Sequence, residues 1–159
     1  ILQEELTPAE SQQALNILNF TTNMEHIGDI VNSSLMDISE KKISQHIHFS
    51  KEGFGEIISI HEVVCSNYDL AISTFMSNDC ELAKVLYGKK QELHKLEKSS
   101  VSKHIQRIGK GVTDSLETSS MHIDVIRDYK RVNSLLSSIA YPILFASGEI
   151  LETRLKQNS

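Results

Sequence analysis

Apolar residues recur along this chain at steps of three and four, the spacing of one face of a helix. In the first stretch they fall at Ile17, Phe20, Met24, Ile27, Val31 and Ile38, with one polar gap at Ser34. "LTPAE" opens the stretch, with Thr7 as N-cap, Pro8 at the first helical position and Glu10 at the third, a capping box reinforced by proline. The pattern predicts a helix from about 8 to about 43, broken by "SQHIHFSKEGFG", where Ser50 can cap the next one. A second seam, Phe54, Ile57, Ile58, Val64, Tyr68, Ala71 and Phe75, predicts a helix over about 51–77. "SND" is then a tight connection, and Asp79 can cap a third helix. That helix, about 80–108, carries Leu82, Val85, Leu86, Leu93, Leu96, Val101, Ile105 and Ile108 and ends at "GKG". A fourth, about 115–156, carries Met121, Val125, Tyr129, Val132, Leu136, Ile139, Ile143, Ala146 and Ile150. Pro142 interrupts this last seam and should kink it, because it lacks a backbone donor and clashes with the preceding turn.

No strand-like alternation competes with these patterns. Four long helices joined by short loops predict an all-α antiparallel bundle, a single domain over residues 1–159. That length can bury a real core. Only 7 Gly and 2 Pro leave little turn chemistry for a many-stranded fold. The formal charge of −5 argues against a nucleic-acid partner. Cys65 and Cys80 stand outside any CxxC or Cys/His ligand spacing and read as buried, reduced thiols. The longest uninterrupted apolar run, "IAYPILFA", falls far short of the roughly 20 residues a membrane span needs. No signal peptide is visible and the first residue is Ile1, so the chain is expected to be a piece of a longer protein.

Candidate chemistry begins with "NMEHIGDIVN", residues 23–32. Glu25 and Asp29 stand at i and i+4, so both carboxylates leave one face of the first helix and repel each other. Gly28 between them costs up to about 1 kcal/mol relative to alanine. Asp124 and Asp128 repeat the spacing on the fourth helix. Two helices that each carry an acidic pair at the edge of the core could gather four carboxylates, a donor set suited to a hard divalent cation or to iron. The same spacing also describes the solvated face of an ordinary bundle. The di-iron signature Glu-x-x-His is not matched, since Gln91 stands three residues before His94. His46 and His48 form an HxH pair in a predicted loop with no third ligand nearby, and the other histidines are scattered singly. No nucleophile stands with its base and no glycine-rich phosphate loop opens a helix, so an enzyme is not expected.

"NMEHIGDIVNSSL" resembles the signature of PhoU-type domains, in which a helix carries Glu-Arg-Ile-Gly-Asp followed by Asn. Glu25, Ile27, Gly28 and Asp29 match, His26 replaces the arginine, and Asn32 falls near the expected asparagine. The family pattern has one Glu/Asp-x-x-x-Asp motif in each of two three-helix repeats, and these acids bind metal ions in some members. The second copy would lie in "IRDYKRVNSLLSSIA", 126–140, where Arg127, Asp128, Arg131, Val132, Ile139 and Ala140 fit. There Lys130, Ser134 and Asn133 replace the motif's glutamate, aspartate and glycine. The layout, one motif helix followed by a whole repeat, is similar to the C-terminal cytosolic region of bacterial sodium/phosphate cotransporter family proteins. The resemblance implies a regulatory or scaffolding tail on the cytoplasmic face of the membrane. Its partners would be the transporter's own transmembrane portion and a second copy of itself. Any divalent metal or iron would be held first by Glu25 and Asp29 and second by Asp124 and Asp128. The alternative is a stand-alone PhoU-like regulator that binds a transporter or sensor kinase in trans.

Overall fold

Residues 6–149, which the computed structural model describes, run as helix after helix, with no strand among them. The order is α1 (Pro8–Ile30), one π-helical turn (Val31–Leu35), α2 (Met36–Ser44), α3 (Lys51–Ser77), α4 (Cys80–Gly109), α5 (Thr113–Glu117), α6 (Ser119–Ser138) and α7 (Ala140–Ala146). The caps set the starts. Glu10 N–H donates to Thr7 Oγ1 at 3.3 Å while Thr7 N–H donates to the Glu10 carboxylate at 2.8 Å. Ser50 accepts from Gly53 N–H, and Asp79 from Leu82 N–H. Asn78, in the left-handed region at φ 52°, ends α3 and lets α4 reverse direction.

The predicted four long helices correspond to α1–α2, α3, α4 and α5–α7. The first is continuous, but the π turn inserts where the seam shows its polar gap. The fourth is segmented. At Thr118 the side chain donates back to the Asp114 carbonyl at 2.6 Å, a local bond that bends a helix. At Ile139 the break is the one expected from Pro142, whose ring nitrogen cannot donate to Ser138. Ile139 N–H turns instead to Leu136 at 3.2 Å. The element closes at Ala146, with Gly148 at φ 75°; the expected continuation through Ile150 lies outside the described residues.

α3, α4 and α6–α7 pack around a common core, and α1 lies along α6. Phe20 of α1 also stacks on Phe75 of α3, with ring centroids 3.8 Å apart. Leu86, Leu93, Ile126, Leu136 and Leu144 are the largest apolar side chains withdrawn from water. Each contributes roughly 1.5–3 kcal/mol. The stripes differ from the predicted ones. α3 buries Gly53, Ile57, Ile60, Val64, Asn67, Ala71 and Thr74, a strict three-four series that leaves Phe54, Ile58 and Tyr68 outside. α4 buries Ala83, Leu86, Leu93, Ser100 and His104, leaving Val85 and Ile105 exposed. Some polar residues at core positions are satisfied across helices, as where Asn67 donates to Asn133 at 2.7 Å, and others within their own helix, as where Thr74 donates to the Leu70 carbonyl at 2.7 Å. The cysteines also differ from expectation. Cys65 is exposed beside His61, and Cys80 is half-buried against Ser147.

Candidate functional site

Glu25 and Asp29 stand on the exposed side of α1 and make no hydrogen bond or ion pair among the described residues. Gly28 between them is not sterically required, since an added Cβ would meet open space. Asp124, half-buried, pairs with Arg127 at 2.7 Å. Asp128 is fully buried beneath the π turn, where Ser34 Oγ donates to it and Arg131 Nη1 reaches it at 3.1 Å. The extra residue of the π turn thus faces Ser34 inward. Asn23 adds a second polar link from α1 to α6, donating to Ser138 Oγ at 2.8 Å. A hydroxyl and a guanidinium thus each engage one oxygen of Asp128. Among the described residues no three His, Cys, Asp or Glu side chains converge on a metal position. The structure therefore does not bring the four carboxylates together. Lys130, which stands at the motif's glutamate position, cross-links α6 to α4 by donating to Glu97 at 2.8 Å. Burial would raise the Glu97 pKa, but Lys130 and His94 outweigh it and hold the carboxyl below its usual range.

A second polar group joins α3, α4 and the start of α6, and periodicity within single helices did not reveal it. Arg107 forks onto Glu56 with Nη1 and Nη2 at 2.8 and 2.9 Å. Ser100 Oγ donates to the same carboxylate at 2.8 Å. Burial pushes the Glu56 pKa up, but these hydrogen bonds and the Arg107 charge hold it below the ordinary carboxylate range. Behind this pair, the rings of His104 and His122 stack with centroids 4.4 Å apart. His104 contacts Ser119 Oγ at 3.0 Å. His122 Nε2 lies 3.4 Å from Glu56 Oε2 without forming a hydrogen bond. Desolvation first, then the neighbouring His104, lowers the His122 pKa to about 4, so the ring is neutral at pH 7. Desolvation and Arg107 lower His104 as well. Gly53 packs closely here: a Cβ would stand 3.0 Å from Ser50 Oγ, a tight approach, and in ordinary contact at 3.5 Å with Arg107 and His122. The available signal was the α4 core stripe, which Ser100 and His104 continue at the right spacing with polar side chains. On its open side the Glu56–Arg107 pair forms part of the wall of a groove of about 750 Å³ between α3 and α4, lined also by Glu52, Ser99, Lys103 and Lys110.

The fold and these sites define a helical bundle domain, cross-linked by part-buried ion pairs and open along one groove. The chain belongs to the PhoU domain family, which matches residues 57–143. It is 32% identical over 142 residues to the "Putative inorganic phosphate export protein YjbB" of Salmonella typhimurium, a match covering 89% of this chain and 26% of that protein. It is 33% identical over 142 residues to the protein of the same name from Escherichia coli strain K12, with the same coverage of both chains. The chain thus spans about a quarter of the length of the curated relatives it matches. No solved structure matches it significantly.

Proposed function

We propose that the chain is a non-catalytic regulatory or scaffolding domain of a phosphate-transport protein, placed on the cytoplasmic face of the membrane beside the segments that carry phosphate. The observation that carries this reading is the similarity, across nearly nine-tenths of the chain, to proteins named for inorganic phosphate export. No helix among the described residues is long and apolar enough to cross a membrane, so the transmembrane portion of the same transporter is the partner this reading requires. The exposed Glu25–Gly28–Asp29 face fits a contact with that partner. Its two acids have no partners in the described residues, and its glycine leaves room for a close approach. A divalent metal or iron at Glu25 and Asp29 belongs to the same reading, with its remaining ligands coming from outside this chain. Coupling to sodium is a narrower form of the proposal and rests on the sequence resemblance. A second copy is the other partner proposed, through the open side of α1.

The test is phosphate flux through the full-length protein with and without this domain, measured with labelled phosphate in loaded cells, in sodium and in potassium media. A changed flux at equal protein abundance is expected. Unchanged flux in both media would remove the regulatory reading.

A further inference from the structure

The distribution of charge along the chain is uneven. Residues 80–110 hold 8 of its 16 Lys and Arg but only 3 of its 21 Asp and Glu, so α4 and its C-cap form a basic strip in an acidic protein. Three of those cations, Lys103, Arg107 and Lys110, fall at i, i+4 and i+7 and line the groove between α3 and α4. The opposing carboxylates are unequal. Glu56 is already engaged by the Arg107 fork and the Ser100 hydroxyl. Only Glu52 is left to face Lys103 and Lys110, neither of which forms an ion pair among the described residues. One uncompensated positive charge remains in the groove.

The groove is also polarised along its length. α3 and α4 run antiparallel across the Asn78–Asp79 connection, so Glu52 and Glu56 lie opposite the cations while Ile60 lies opposite Leu96. From Leu96 to Lys110 the helix advances about 20 Å. A volume of about 750 Å³ falls within the range of small-molecule pockets, roughly 300–1,000 Å³. Apolar floor at one end and cations at the other suit a ligand with an oxyanion head and a less polar body.

We infer that this groove is a binding site for a phosphate group, with Lys103 and Lys110 holding the phosphate oxygens and the Ser99 side of the wall bounding the rest of the ligand. The groove's chemistry selects an oxyanion; the choice of phosphate rests on the phosphate-transport reading. Arg107 is a positioning residue here, since it keeps Glu56 neutralised and out of the anion's way.

Equilibrium dialysis of the 159-residue chain against labelled inorganic phosphate, labelled ATP and labelled adenosine tests the inference. Saturable binding of phosphate or ATP is expected, weakened about tenfold or more in Lys103→Gln/Lys110→Gln and blocked in Ser99→Trp, which fills the groove without changing charge. The pair Lys95→Gln/Lys98→Gln removes the same charge away from the groove and should leave binding unchanged. ATP binding well above inorganic phosphate identifies an organic phosphate as the source; equal binding identifies free phosphate. The inference is overturned by absence of saturable binding of both phosphate probes, by equal losses in the two lysine pairs, or by adenosine binding as tightly as ATP. Such a failure, with flux still altered by removal of the domain, would leave the proposed function standing.

Discussion

His122 is an imidazole with almost no access to water, stacked on a second imidazole and set beside an ion pair. Protonating it would place a cation next to Arg107 and His104, with only Glu56 to offset it. Its folded-state pKa of about 4 lies below the ordinary value of 6.5, so the unfolded chain takes up the proton first as pH falls. The neutral ring's contribution to stability is therefore complete above about pH 6.5 and is lost progressively between 6.5 and about 4. The loss amounts to about 3 kcal/mol at the low end. His104 adds a loss of the same sign. Glu56 and Glu97, whose pKa values are lowered from 4.5, contribute fully above that value and begin to lose their contribution as the pH falls through it, at the acid end of the same window. Urea unfolding at pH 7, 6, 5 and 4 should show this decline, and His122→Gln should flatten it over the same window. A wild-type profile already flat from pH 7 to pH 4 would contradict the buried neutral ring. At this scale the sequence was least informative. His104 and His122 each read as one more isolated helical histidine, because what joins them is the pairing of α4 with α6 rather than anything local to either.

Helices were far more legible than the residues that link them. Thr7, Ser50 and Asp79 mark three helix starts through a side-chain acceptor three residues before a needed donor, a relation confined to one turn. Pro142 likewise announced the Ile139 break, since its missing N–H acts on a fixed neighbour. The π turn was visible only as the gap at Ser34, and its cause lies on α6: a buried Asp128 that takes a hydroxyl from across the interface. Two effects of Ser34→Ala oppose each other here. Removing the hydroxyl frees α1 to regularise, but it leaves a buried carboxylate short of a donor, and the latter should dominate at about 1–3 kcal/mol. Thermal or urea unfolding should therefore show Ser34→Ala destabilised, with faster hydrogen exchange of the Val31–Leu35 amides. Wild-type stability with slower exchange there would mean that the bulge is imposed by something other than Asp128.

Across the whole molecule, burial is lopsided. α3, α4 and α6–α7 enclose a core, whereas α1 has one buried residue, Ile30, and α2 has none. Leu15, Ile17, Leu18, Met36 and Ile43 all stay largely exposed along these two helices. That pattern is unusual for a free surface and ordinary for an interface. A second copy, the partner proposed above, would cover this face. Sedimentation of the chain should then show concentration-dependent dimers. Leu18→Gln/Ile43→Gln should shift the population to monomer while circular dichroism stays unchanged, because neither side chain belongs to the core. A wild-type chain that remains monomeric at high concentration would overturn the second copy as this face's cover and leave the proposed transmembrane partner to be tested there. The same two substitutions, made in the full-length protein, should then lower its abundance or phosphate flux.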